Sequence, residues 1–211
     1  MLRPAKNVCA QPILIMSALQ KACNNIYMAK PVLCDAGKAN GDYFFNVAGI
    51  GLEATIAHAF ARVKKRGMLP YFKIGFEQIL KYKAPQVEVW ADDKSLIFLN
   101  PITLVVANGK QYGSNFKIAP EANLTDGKLD MVYVKQSPLW KLALGMPSFF
   151  KPGLSTVKIT KARQIKKAII TGQEKFFYHL DGEPKEATDK LEIEVVPKAI
   201  YLLSVDRTAH K

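Results

Sequence analysis

Y-F-F-N-V-A-G-I-G-L-E-A, Tyr43–Ala54, is the stretch on which the fold turns. The aromatic and β-branched run Tyr43–Val47 predicts a buried strand, and Gly49-Ile50-Gly51 predicts its break. Leu52, Ile56, Phe60 and Val63 then recur at helical spacing. Strand, glycine turn and helix imitate a dinucleotide fingerprint, because Gly49, Gly51 and Ala54 satisfy G-x-G-x-x-A. A dinucleotide fold would next supply a parallel strand ending in an acid about twenty residues on. The chain instead supplies a second amphipathic pattern, Leu69–Tyr82, with Leu69, Phe72, Phe76, Ile79 and Leu80 on one face and Gly67 before it. The glycines are therefore read as serving a tight turn and close packing.

Beyond Pro85 the period changes to two. Val87 and Val89, Ser95–Leu99, Ile102–Ala107, Leu129–Val134, Val157–Ile159, and Leu191, Ile193 and Val195 read as short strands. Turn signals at Asp92-Asp93, Asn108-Gly109, Asp126-Gly127 and Asp181-Gly182 punctuate them, so the pairing is expected to be mostly antiparallel. Upstream, Pro12–Asn25 reads as a short helix with proline in its first turn, followed by extended chain around Tyr27–Leu33. The expected organisation is a junction segment over 1–39, one mainly β domain with a two-helix insertion over 40–205, and a tail over 206–211.

Composition bounds the function classes. With 49% hydrophobic and 23% charged residues in 211, the chain is globular, neither disordered nor fibrous. No apolar run reaches the roughly 18–20 residues of a membrane span, and Met1–Asn25 lacks a basic region followed by an apolar core, so a soluble cytoplasmic chain is expected. Cys9, Cys23 and Cys34 are odd in number and form no C-x-x-C pair, which argues against a disulfide framework or a zinc site. A net charge of +12 favours anionic partners: nucleic acid, an anionic membrane surface or a phosphorylated ligand. Nucleic acid is not expected, because zinc patterns, a base-reading basic helix and an aromatic-glycine RNA signature are all missing.

Besides Tyr43–Ala54, two segments carry chemistry. Asn108–Asp130, N-G-K-Q-Y-G-S-N-F-K-I-A-P-E-A-N-L-T-D-G-K-L-D, is longer and more polar than a hairpin needs. Within it Asp126 suits a hard cation completed by backbone carbonyls, and suits an ordinary Asp-Gly turn as well. Phe176–Pro184, F-F-Y-H-L-D-G-E-P, ends a β-prone run in two carboxylates. Asp181 or Glu183 is suited to accept a hydroxyl proton during phosphoryl transfer, and the same residues also fit a plain hairpin turn. His179 reads as a strand residue. The basic clusters Arg62–Arg66 and Lys161–Lys167 suit anionic lipid head groups or a solvated face.

In order and spacing, F-N-V-A-G-I-G-L-E-A, N-G-K-Q-Y-G with I-A-P-E-A-N-L-T-D-G-K-L-D, and H-L-D-G-E-P resemble the landmarks of the diacylglycerol and sphingosine kinase family of lipid kinases, bacterial type, from about Cys34 to Val205. The resemblance implies the carboxy-terminal, substrate-side domain, an antiparallel β-sandwich. It implies phosphorylation of a diacylglycerol-like lipid alcohol with ATP as co-substrate and Mg2+, and peripheral contact with an anionic membrane. By it, Glu183 is the candidate proton acceptor and Asp181 a nearby acid that orients substrate or metal. Asp126 then supplies a side chain, and Asn123 and Lys128 backbone carbonyls, to a loop-ordering magnesium. The family's Gly-Gly-Asp-Gly-Thr nucleotide motif occurs nowhere in the 211 residues, and Ser114-Asn115 stand where some members carry glycines. A separate nucleotide-binding domain is thus an expected partner. The alternative is a lipid-binding or interaction module without catalysis.

Overall fold

A computed structural model describes residues 19–20, 22–61, 78, 82–92, 94–98, 100–111, 118–135 and 160–204. The strands are β1 (Lys30–Ala39), β2 (Asp42–Phe44), β3 (Val47–Gly51), β4 (Val87–Ala91), β5 (Lys94–Phe98), β6 (Pro101–Ala107), β7 (Leu129–Lys135), β8 (Thr160–Ile165), β9 (Lys167–Leu180) and β10 (Glu183–Ser204). One helix, α1 (Leu52–Ala61), follows β3. The chain divides into two compact units, residues 35–199 and the residues on either side of them. In the flanking unit, residues 22–28 are helical, three residues beyond the expected end at Asn25. Among the described residues no helix is long and apolar enough to cross a membrane.

Within residues 35–199 the strand order is β2-β1-β10-β9-β3-β6-β7-β8, with β4 paired to β9 and β5 to β4. The β3–β6, β6–β7, β7–β8 and β9–β10 ladders are all antiparallel. The fold is thus mainly antiparallel β, sandwich-like, with a helical insertion. Strand β9 binds two neighbours along one edge. Its first part pairs with β4 (Ala91↔Ala168) and its last residues with β3 (Ala48↔Leu180). Two register shifts on the β10 side, around Thr188, let the ladder bend between them.

Alternation sorts the side chains into two cores. Leu104 and Val106 of β6 join Phe44, Ile50, Val89, Leu129, Ile170 and Leu191 in the larger cluster. Val105 and Ala107 point the other way, to a smaller cluster with Val47, Val132, Ile118 and Ala122. Burying each large aliphatic side chain contributes roughly 1.5–3 kcal/mol. The smaller cluster anchors the segment 118–122 that leads into the Asp126 turn.

Two expectations need correction. Tyr43–Val47 is not one strand: the chain turns at Phe45-Asn46, and β3 runs from Val47 straight through Gly49 to Gly51. The glycines interrupt no ladder. Gly51 has φ +121, and a Cβ there would strike the Ile102 carbonyl on β6, so glycine lets β3 meet α1 while staying paired. Lys161–Lys167, expected as a basic cluster, covers β8 from its second residue and the start of β9, which leaves that expectation standing. The expected strand Val157–Ile159, the cluster Arg62–Arg66 and, apart from Gln78 and Tyr82, the expected helix Leu69–Tyr82 lie outside the described residues.

Candidate functional site

The D-G-E segment forms the two-residue turn between β9 and β10, closed by the pair Leu180↔Glu183. Asp181 (φ 51) and Gly182 (φ 90) both take positive φ, the pattern of a type I′ turn and the reason Asp-Gly suits it. The Asp181 carboxylate reaches back across the sheet. Oδ2 accepts the Phe45 N–H at 2.8 Å, and Oδ1 accepts those of Asn46 at 2.9 Å and Val47 at 2.8 Å. The Asp181 N–H in turn donates to the Val47 carbonyl at 2.8 Å. Glu183, two residues on, is exposed at the first position of β10. Lys185 beyond it pairs with Asp42 at 2.9 Å.

From Asn46 the network continues. The Asn46 carbonyl accepts the N–H groups of Asn108 at 2.8 Å and Gly109 at 3.1 Å, and its side-chain amide donates to the Gln111 carbonyl at 2.7 Å. Buried Asn108 donates its amide to the carbonyls of Asp35 and Phe45, both at 2.9 Å. Asp35, 2% exposed, accepts the N–H of Gly127 at 2.7 Å and of Lys198 at 2.8 Å. Parts of Tyr43–Ala54, Asn108–Asp130 and Phe176–Pro184 therefore meet at one end of the sheet, tied by Asp35, Asn46, Asn108 and Asp181. Sequence reasoning missed the first three as site residues. An acid inside a β-strand, where Asp is depleted, was the available signal for Asp35.

Asp126 is exposed, with Oδ1 accepting the Lys128 N–H at 3.1 Å and Oδ2 facing the Gln164 amide at 3.4 Å. The Asn123 side-chain oxygen accepts from the Thr125 N–H at 3.2 Å and hydroxyl at 3.0 Å. Among the described residues no three His, Cys, Asp or Glu side chains cluster as metal ligands. A cation here would rest on one carboxylate and backbone carbonyls, an all-oxygen set that fits magnesium. Nearby Asp130 is held above the usual carboxylate range by burial, with the charges of Asp126 and Glu121 adding.

A second polar group lies beneath the turn. His179 is fully buried, and its Nδ1 accepts the Gly182 N–H at 3.2 Å. A Cβ on Gly49 would come within 2.5 Å of His179 Nε2 and 3.0 Å of Glu53 Oε1, so this glycine makes room for both. Burial pushes Glu53 up to about 8, against the effect of the Thr103 hydroxyl near it, and Oε1 has no hydrogen-bond partner. Burial likewise lowers His179 to about 4, although the charge of Asp181 works against this. Tyr82 is raised by burial and then by Glu53. The two shifts act oppositely on stability. His179 costs stability as pH falls from 6.5 toward 4, and Glu53 costs it as pH rises from 4.5 toward 8. Between pH 4.5 and 6.5 the slopes offset. From pH 6.5 to 8 stability should fall by about 2 kcal/mol. Urea unfolding across that range should show the fall in the native chain and not in Glu53→Gln; an unchanged slope in the variant would rule out Glu53 as its source.

Helix α1 is seated on β9 by His58, whose Nε2 donates to the Tyr178 carbonyl at 3.3 Å while its ring lies 4.2 Å from that of Phe177. Beside this contact opens a cavity of about 680 Å³, bordered by Thr55, Tyr82, Lys83, Lys175, Phe176 and Phe177 among others.

Residues 46–204 match the family described as the YegS C-terminal NAD kinase beta sandwich-like domain. The diacylglycerol kinase of Bacillus subtilis (strain 168) is 29% identical over 175 residues, covering 80% of this chain and 55% of its own. The probable lipid kinase YegS-like of Shewanella frigidimarina is 28% identical over 171 residues, covering 80% and 54%. The chain thus spans about half the length of these curated relatives. A crystal structure of a diacylglycerol kinase from Bacillus anthracis shares the fold, with TM-score 0.59 and 18% identity over 91% of this chain and 60% of that one.

Proposed function

The chain belongs to the YegS C-terminal NAD kinase beta sandwich-like domain family, and on that footing we propose that it is the substrate-side part of an ATP-dependent lipid kinase acting on a diacylglycerol-like alcohol at the cytoplasmic membrane surface. The observation that carries this reading is Glu183, an exposed carboxylate beside a turn pinned by three backbone N–H groups. Its backbone is fixed while its side chain is open to a substrate.

In the proposed reaction the lipid hydroxyl oxygen bonds to the γ-phosphorus of ATP. The bond from that phosphorus to the β,γ-bridging oxygen breaks, ADP departs and the hydroxyl proton passes to Glu183. Asp181, whose oxygens already accept three N–H groups, positions the turn. Asp126, with the Asn123 and Lys128 carbonyls, holds a magnesium that supplies a cationic pin for the loop. Phosphoryl transfer depends on positioning and charge stabilisation of the nucleotide, and that role is assigned to a separate nucleotide-binding domain.

The test is transfer of labelled phosphate from ATP and magnesium to a panel of lipid alcohols in detergent micelles, by the chain alone and by the chain mixed with a lipid-kinase nucleotide-binding domain. Transfer by the mixture supports the reading. Lipid binding without transfer in either case would overturn it in favour of a non-catalytic lipid-binding module.

A further inference from the structure

Strand β4 alternates cleanly: Val87, Val89 and Ala91 are buried, and Trp90 faces outward, 49% exposed. Across the ladder Trp90 stands opposite half-buried Ile169 of β9. The two border a shallow groove of about 730 Å³ whose rim carries Lys128, Lys166 and Lys167. The one acid lining it is Asp92, and its carboxylate is already engaged by the N–H groups of Lys166 and Lys167, each at 2.9 Å. Neither lysine ammonium enters an ion pair among the described residues. An indole left in water suits one environment well beside lysine ammonium groups, of which Lys128 donates to the Gln164 side chain and Lys167 lies within electrostatic reach of Glu192. At a bilayer surface the indole lies at head-group depth while lysines face lipid phosphates.

We propose that the Trp90 groove docks this domain on an anionic bilayer, with Trp90 entering the head-group layer and Lys128, Lys166 and Lys167 facing lipid phosphates. The proposal rests on the lipid-kinase reading and names the face that meets the membrane. Charge complementarity argues for it: the chain carries +12 overall, and the groove combines three lysines with one preoccupied acid. An acidic protein would be met equally well by the lysines but gives no reason for an exposed indole opposite Ile169.

The experiment is sedimentation of the full chain with vesicles of phosphatidylglycerol and phosphatidylcholine, and with phosphatidylcholine alone. Binding is expected on the anionic vesicles only, falling as salt rises. Trp90→Ala and the pair Lys166→Gln with Lys167→Gln should each lower the bound fraction at least tenfold. The charge-matched pair Lys30→Gln with Lys198→Gln, exposed residues that line neither the groove nor the cavity beside Phe177, should lower it less than threefold. Equal losses for both lysine pairs would overturn the proposal by reducing it to net charge. Absence of binding by the native chain would overturn it too, and would leave phosphate transfer in micelles, the test of the kinase reading, unaffected.

Discussion

Replacing Glu183 by glutamine is expected to reduce phosphate transfer to lipid by about 10²–10⁴-fold, the usual contribution of a positioned general base. The substitution keeps shape and hydrogen-bonding reach but removes the ability to take a proton. It should leave the fold intact. Glu183 is exposed, and its ladder pairing to Leu180 uses backbone groups that glutamine retains. Surface changes of this kind usually alter stability by less than about 0.5 kcal/mol. The loss should fall on kcat, with KM for the lipid little changed, because the interaction removed develops only in the transition state. Steady-state kinetics of the chain mixed with a lipid-kinase nucleotide-binding domain measure both constants. Full activity in Glu183→Gln would mean that the proton leaves by another route and that Glu183 is a spectator.

What the sequence disclosed and what it hid divides along the range of the interactions. Strands β4, β6 and β7 were legible because β4 alternates over its five residues and β6 and β7 are short apolar, β-branched runs between turn signals, information carried wholly within the strand. The Asp181-Gly182 turn was legible for the same reason, since positive φ at two successive positions selects Asp and Gly locally. Strand β9 was not. Its exposed lysines and changing neighbours, β4 first and β3 later, give it no single period over its 14 residues. Gly49 resembles a turn residue in sequence because its reason lies far off in the chain, in the space needed by His179.

The candidate site divides likewise. Asp126, Asp181 and Glu183 could be picked out as acids in turns. Asp35 offered only the weaker signal of an acid in a strand, since its partners, the N–H groups of Gly127 and Lys198, lie 92 and 163 residues away. Asn46 and Asn108 likewise act on carbonyls and N–H groups of other loops. Such residues tie distant loops together, and their chemistry is visible only after the chain has folded.

Asp181→Ala should then be the most disruptive single change at this end of the sheet. It removes the acceptor of three short hydrogen bonds, at 2.8, 2.9 and 2.8 Å, and puts alanine at φ 51. Hydrogen bonds to a charged group contribute about 1.5–3 kcal/mol each when shielded. At this exposed turn water can replace part of that, so about 1 kcal/mol each is the sounder figure. Left-handed backbone costs alanine about 1 kcal/mol more. The total, about 4 kcal/mol, corresponds to roughly 8–16 °C in Tm for a domain of this size. Asp181→Asn behaves differently. Asparagine tolerates the left-handed backbone and keeps an oxygen for the Asn46 and Val47 N–H groups, giving up only the bond to Phe45, so about 1–2 kcal/mol is lost. Activity should rank in the same order, native above asparagine above alanine, because Asp181 acts through the position it gives Glu183. If Asp181 itself took the hydroxyl proton, asparagine would be as inactive as alanine while remaining much more stable. Melting curves and phosphate transfer measured on both variants separate the two roles. Partial activity with asparagine assigns Asp181 to positioning, and complete loss with a nearly native Tm assigns it to the proton.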